Sequence, residues 1–146
     1  MGAENPEKEG KLSLELGSDG QLRVNGHEVM LVLCDEQQEN GWTTVEKIAN
    51  VLRPLKDLGP DGHEMFPGED VLRALLKNPH LIPPSWKRDA EGQSICVAFW
   101  GGRLNGSSKT GVPILFCNRD GQFESTTLPG GERGRDLTRL TLSALF

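Results

Sequence analysis

Leu12, Leu14 and Leu16 alternate with polar residues, and the next apolar pair, Leu22 and Val24, stands between Gly17-Ser18-Asp19-Gly20 and Asn25-Gly26. Side chains two apart share one face of a strand, and Asp-Gly and Asn-Gly accept the positive φ of tight hairpin turns. With the apolar run Val29-Met30-Leu31-Val32-Leu33 after the second turn, the pattern predicts a meander of three short strands. Such a meander cannot be helical, and it needs a partner layer for its leucine face.

The middle of the chain changes period. Residues 34–41 read as a polar connection, Asp35-Glu36-Gln37-Gln38-Glu39-Asn40, ahead of Trp42. Thr43 and Glu46 have the spacing of a capping box, and Val45, Ile48, Leu52 and Leu55 then recur on one helical face. Pro54 ends that helix near Leu52. Trp42, one residue before the cap, is expected to cover the helix end. A second helix is predicted over 69–77, with Glu69 and Asp70 in its first turn, Lys77 in its last, and Asn78-Pro79 as its stop. Pro79, Pro83 and Pro84 then predict an extended, stiff connector.

Beyond the connector the pattern returns to strands. Ile95-Cys96-Val97-Ala98-Phe99-Trp100 is apolar on both faces and predicts a central, doubly covered strand. Residues 112–117 and 122–128 read as a hairpin across Asn118-Arg119-Asp120-Gly121. Residues 137–146 fit either period, and Thr138 and Thr141 favour a strand.

The helix over 71–76, the element Ile82-Pro83-Pro84-Ser85-Trp86-Lys87 and the strand end Phe99-Trp100-Gly101 resemble a group of small bacterial proteins. These carry a helix, an Ile-Pro-x-x-Trp-Lys/Arg element and a strand ending in Phe-Trp-Gly-Thr. The resemblance covers residues 68–146. Gly102 stands where the group has Thr, and its Trp- and Tyr-rich tail is here Phe116, Phe123 and Phe146. The group has no established activity, so the resemblance implies a shared fold and lends no catalytic residue.

Composition excludes several classes. With 146 residues, 36% of them hydrophobic, a core is feasible without disulfides or metal. No run approaches a membrane span, and the polar start Met1-Gly2-Ala3-Glu4-Asn5-Pro6-Glu7 lacks the apolar stretch of a signal peptide. The expectation is a soluble, cytoplasmic protein. Pro6 stands where a myristoylation motif wants Ser or Thr. Cys34, Cys96 and Cys117 are an odd number at wide spacing, and buried free thiols in a reducing compartment fit them. The net charge is −5, with 8 basic and 15 acidic side chains in residues 1–85 and 8 and 6 in the remainder. An acidic chain repels phosphate backbones, which disfavours nucleic acid as a partner.

No complete catalytic, cofactor or metal motif is present. The stretch from Gly102 to Thr110 places Lys109 three residues after Gly106 and runs into a strand, so it lacks both the spacing and the helix of a phosphate loop. His63-Glu64 has no second His at helical spacing, no Cys-x-x-Cys pair occurs, and Asn40 occupies the glycine position of a calcium loop begun at Asp35. A Cys–His pair drawn from the three cysteines and His27, His63 or His80 would need a proximity that sequence does not supply.

Recognition residues are easier to nominate. Trp86, beside two prolines, either staples the connector to the core or joins a partner surface, and packing is the preferred role. The polar, positive loop 101–111 carries Arg103, Asn105, Ser107, Ser108 and Lys109 and is the first place to seek a ligand-facing edge. The resulting expectation is a disordered tail at 1–10 and a single α+β domain over 11–146, with a subdomain boundary near Ile82 as the variant. The domain has an N-terminal β-meander, two central helices and a mainly antiparallel C-terminal sheet. Functionally it reads as a small binding or interaction module with a protein partner, no cofactor and no catalysis. The alternatives are a Cys–His hydrolase or transferase, and a nucleic-acid module using the second half.

Overall fold

The N-terminal leucines form a three-stranded antiparallel sheet of β1 (Leu14–Leu16), β2 (Leu22–Val24) and β3 (His27–Glu28). Asn25 and Gly26, at φ 53° and 86°, make the two-residue turn that sets Val24 opposite His27. Two consecutive positive φ values match the right-handed strand twist, and only Asn, Asp or Gly tolerates them readily. Asp19 closes the other turn by accepting the Gln21 N–H at 3.1 Å and pairing with Arg23 at 3.0 Å. The computed structural model describes residues 12–59, 64–88, 90–104, 111–129, 136–138 and 141–146. The tail expected at 1–10 lies outside them.

The run 29–33 does not stay in the meander. The Val29 N–H bonds the Leu22 carbonyl at 2.9 Å, and one residue later the chain enters β4 (Met30–Val32), which belongs to a different sheet. That second sheet has five strands in the order β4-β10-β6-β7-β8, with β6 (Cys96–Ala98), β7 (Gly111–Cys117), β8 (Phe123–Pro129) and β10 (Thr141–Leu145). β10 runs parallel to β6 and antiparallel to β4, and every other neighbouring pair in this sheet is antiparallel. A two-stranded ribbon joins β5 (Trp42–Thr44) to β9 (Asp136–Thr138). The fold is therefore mixed α+β with mostly antiparallel strands, and the strand reading of residues 141–145 holds.

Both faces of the large sheet are covered, as the apolar run 95–100 predicts. On one face Val97, Leu115 and Ala144 pack with Leu22, Val24 and Val29 of the small sheet and with Val71, Leu72 and Leu75 of α3 (Glu69–Lys77). On the other, Ala98, Val112 and Ile114 pack with Val45, Ile48, Ala49 and Leu52 of α2 (Val45–Leu52) and with Leu104 of α4 (Gly101–Leu104). Val97 and Ala98 point to opposite layers because side chains alternate along a strand. Trp100 is fully buried, and its indole N–H donates to the Ser143 hydroxyl at 2.9 Å, which satisfies the polar end of the ring. Gly101 follows against the neighbouring backbone, where a Cβ would lie 2.6 Å from the Phe66 carbonyl oxygen.

Four local expectations need correction. The polar connection is in part a helix, α1 (Asp35–Asn40), which ends at Gly41 with φ 88°. Gln37 makes it so: its buried side chain accepts the Cys34 N–H at 3.0 Å and donates to the Thr141 carbonyl at 2.8 Å. The cap of α2 is Thr44, whose hydroxyl accepts the Lys47 N–H, while Thr43 is buried in β5 and donates to Glu36 at 2.8 Å. The proline-rich stretch is not extended; it folds into two short 3-10 turns, Pro79–Leu81 and Pro84–Trp86, each started by a proline whose fixed φ suits the first helical position. Trp42, expected to cover a helix end, lies in β5 and is 48% exposed.

Candidate functional site

A cleft opens between α1, α2 and the β4 and β10 strands of the large sheet. Its volume is about 450 Å³, within the range of ligand sites. The floor is Ile48 and Leu52 of α2 with Met65, Phe66 and Leu145, and one wall is Val32, Leu33 and Cys34. Apolar spacing along α2 turns Ile48 and Leu52 inward. Val51 lies off that stripe and faces out, 58% exposed, at the mouth of the cleft. Leu55 also lines the cleft and is 37% exposed.

Charged residues also line the cleft: Asp35, Glu36 and Glu39 from α1 and Lys47 from α2, one turn before Val51. Glu36 is already engaged, since it accepts from Thr43 and pairs with Lys47 at 3.3 Å. Those partners hold its carboxyl below the ordinary value, the Thr43 hydroxyl contributing most. Asp35 and Glu39 have no ion pair or side-chain hydrogen bond among the described residues. Gln37 fixes α1 to β10, so the rim is held at a set distance from the floor.

Cys34 sits in the cleft wall immediately before α1. A helix N-terminus ordinarily favours a thiolate. Here burial raises the thiol pKa, and the adjacent Asp35 and Glu36 raise it further. Burial also raises Cys96. Both thiols are half-buried, not sealed as the sequence suggested, and Cys117 is buried. Among the described residues no hydrogen bond joins a cysteine to His27 or His80; His27 instead meets the Phe146 ring edge-on at 6.4 Å. No group of three metal-binding side chains occurs among the described residues. The arrangement can hold an apolar group beside carboxylates, and it pushes the Cys34 thiol away from the thiolate that would be the nucleophile.

The residues nominated from sequence fall elsewhere. Trp86 is 3% exposed and packs with Ile82 in the core beside α3, so it is the staple and presents no surface. Asn105, Ser107, Ser108 and Lys109 lie outside the described residues, as do His63 and the side chain of Arg103. The cleft itself was missed. Its one signal was Val51, an apolar residue off the buried stripe of a short helix, followed by Leu55. Ile82, Trp86, Phe99 and Trp100, which carry the resemblance to the bacterial group, are all buried. No helix among the described residues is long and apolar enough to cross a membrane. No protein-family model matches this chain, and neither a curated protein nor a solved structure matches it.

Proposed function

We propose that this chain is a binding module without catalytic activity, and that the cleft between α1 and α2 receives an apolar group of a protein partner. The supporting observation is the cleft itself: a volume of about 450 Å³ with a mainly apolar lining that includes exposed Val51 and Leu55. Exposed apolar surface rimmed by polar residues marks interaction sites, because leaving it in water is unfavourable. The shift of the Cys34 thiol away from ionisation favours binding over nucleophilic catalysis at the same place. A cytoplasmic setting belongs to this reading and is supported by the three free cysteines.

The test uses the neutral fluorophore N-phenyl-1-naphthylamine and backbone amide NMR. Saturable binding, with shifts confined to residues 32–36, 47–55 and 145, is expected. The variants Val51→Glu and Leu55→Glu should weaken it by about tenfold, since each places a charge in the apolar mouth. Binding that ignores both variants overturns the cleft as the site. Turnover of an ester, amide or phosphoester substrate that disappears on Cys34→Ser would replace the binding reading with a catalytic one.

A further inference from the structure

We infer that the partner element recognised by this cleft is a basic amphipathic helix, its apolar face laid along Val51 and Leu55 and its cationic side chains against Asp35 and Glu39. This deepens the binding function proposed above and rests on it. Val51 near the end of α2 and Leu55 in the 3-10 turn Arg53–Leu55 that follows it are exposed and line the cleft together, an apolar margin of the kind that meets the apolar face of a helix packed into a groove. The neighbouring sheet edge offers less to an extended peptide, because β4 is only three residues long.

The charge argument comes from what each rim residue already does. Three carboxylates face one ammonium, and that ammonium is committed to Glu36. Asp35 and Glu39 remain, both exposed. Asp35 has a local role, since an acid in the first turn suits the helix dipole. Glu39 has none: it stands near the C-terminal end of α1, where the dipole is unfavourable for a carboxylate, and no base accompanies it in the last turn. The nearby bases do not supply the missing charge. Arg53 donates to the Asn50 side chain at 3.1 Å, Lys56 pairs with Asp57 at 3.0 Å, and neither lines the cleft.

The experiment titrates the full chain with two labelled peptides that share leucines at helical spacing, one flanked by lysines and the other by glutamates. Fluorescence anisotropy and far-UV circular dichroism are followed together. The lysine peptide should bind saturably and gain helicity, while the glutamate peptide binds at least about tenfold more weakly. Val51→Glu should weaken the lysine peptide by about tenfold. The pair Asp35→Asn with Glu39→Gln should weaken it by about threefold at low salt and by much less at ~1 M salt, where charges are screened within about 3 Å. All of these positions are exposed, so the variants fold, and circular dichroism of each checks that.

Equal binding of the two peptides overturns the charge assignment. Binding of the lysine peptide that survives Val51→Glu but vanishes in salt shows plain polyelectrolyte attraction and overturns the docking. Binding without gain of helicity means strand addition at β4 and overturns the helix. If the neutral fluorophore fails to bind the cleft, the binding function falls with this inference; if it binds there and the lysine peptide does not, only this inference falls.

Discussion

Replacing Gln37 with Met keeps nearly the same length and volume but removes a buried amide hydrogen-bonded to the Cys34 N–H and the Thr141 carbonyl. Gln37 is fully buried, so water cannot take the amide's place. Each orphaned partner then loses about 1–3 kcal/mol, offset in part by the thioether's favourable burial. A net loss of about 2–4 kcal/mol follows. For a chain of this size each kcal/mol moves the midpoint by roughly 2–4 °C, so the melting temperature should fall by roughly 4–16 °C. Urea unfolding followed by tryptophan fluorescence supplies the free energy, and an unchanged m value shows that the unfolded state is the same. The same exchange at exposed Gln122 should stay within about 0.5 kcal/mol. A Gln37→Met loss that small would refute the view that this amide ties α1 to β10, and the cleft rim would need another anchor.

Three further outcomes are expected. Gly101→Ala should destabilise by about 1–3 kcal/mol in the same urea assay, because the added methyl would meet the Phe66 carbonyl oxygen at 2.6 Å and backbone cannot yield cheaply; a neutral result would show the loop is free to move. Iodoacetamide should label Cys34 and Cys96 slowly near pH 7 and about tenfold faster per pH unit up to their raised pKa values; a rate already level at pH 7 would reveal an activated thiol. The same shifts make stability full below the ordinary thiol value of 9.0 and diminishing as pH rises above it. Glu36 titrates in the opposite sense: its lowered pKa means that the brace to Thr43 and Lys47 is intact above the ordinary value of 4.5 and is lost as pH falls through the folded value, which carbon-detected NMR of the Glu36 carboxyl would follow.

Strands β1, β2, β6, β7 and β8 and helix α3 were legible because their signals are local. Asn25-Gly26 names its own turn, and the acids and base of Glu69–Lys77 name the ends of a helix. What escaped depends on distant partners. Nothing near Gln37 shows that its amide will meet Thr141, so a helix looked like a polar linker. Nothing within 29–33 shows that the run will leave the meander after one residue to pair with β10. Trp86 was read with the right preference, since its burial follows from the prolines around it. The cleft was hidden for a related reason: its lining comes from within residues 32–36, 39–55, 65–66 and 145, and a sequence records what is covered more plainly than what is left open.

The pairing of β10 with β4 has a consequence for how the molecule is made. The floor residue Leu145 pairs with Met30, and the anchor of α1 reaches across 104 residues from Gln37 to Thr141. During synthesis the chain emerges in order, so β4, α1 and α2 are complete long before the strand that joins them to the sheet. Contacts so far apart in sequence close late and slowly. The cleft therefore does not exist on a nascent chain, and a partner that binds there meets only molecules translated through residue 145.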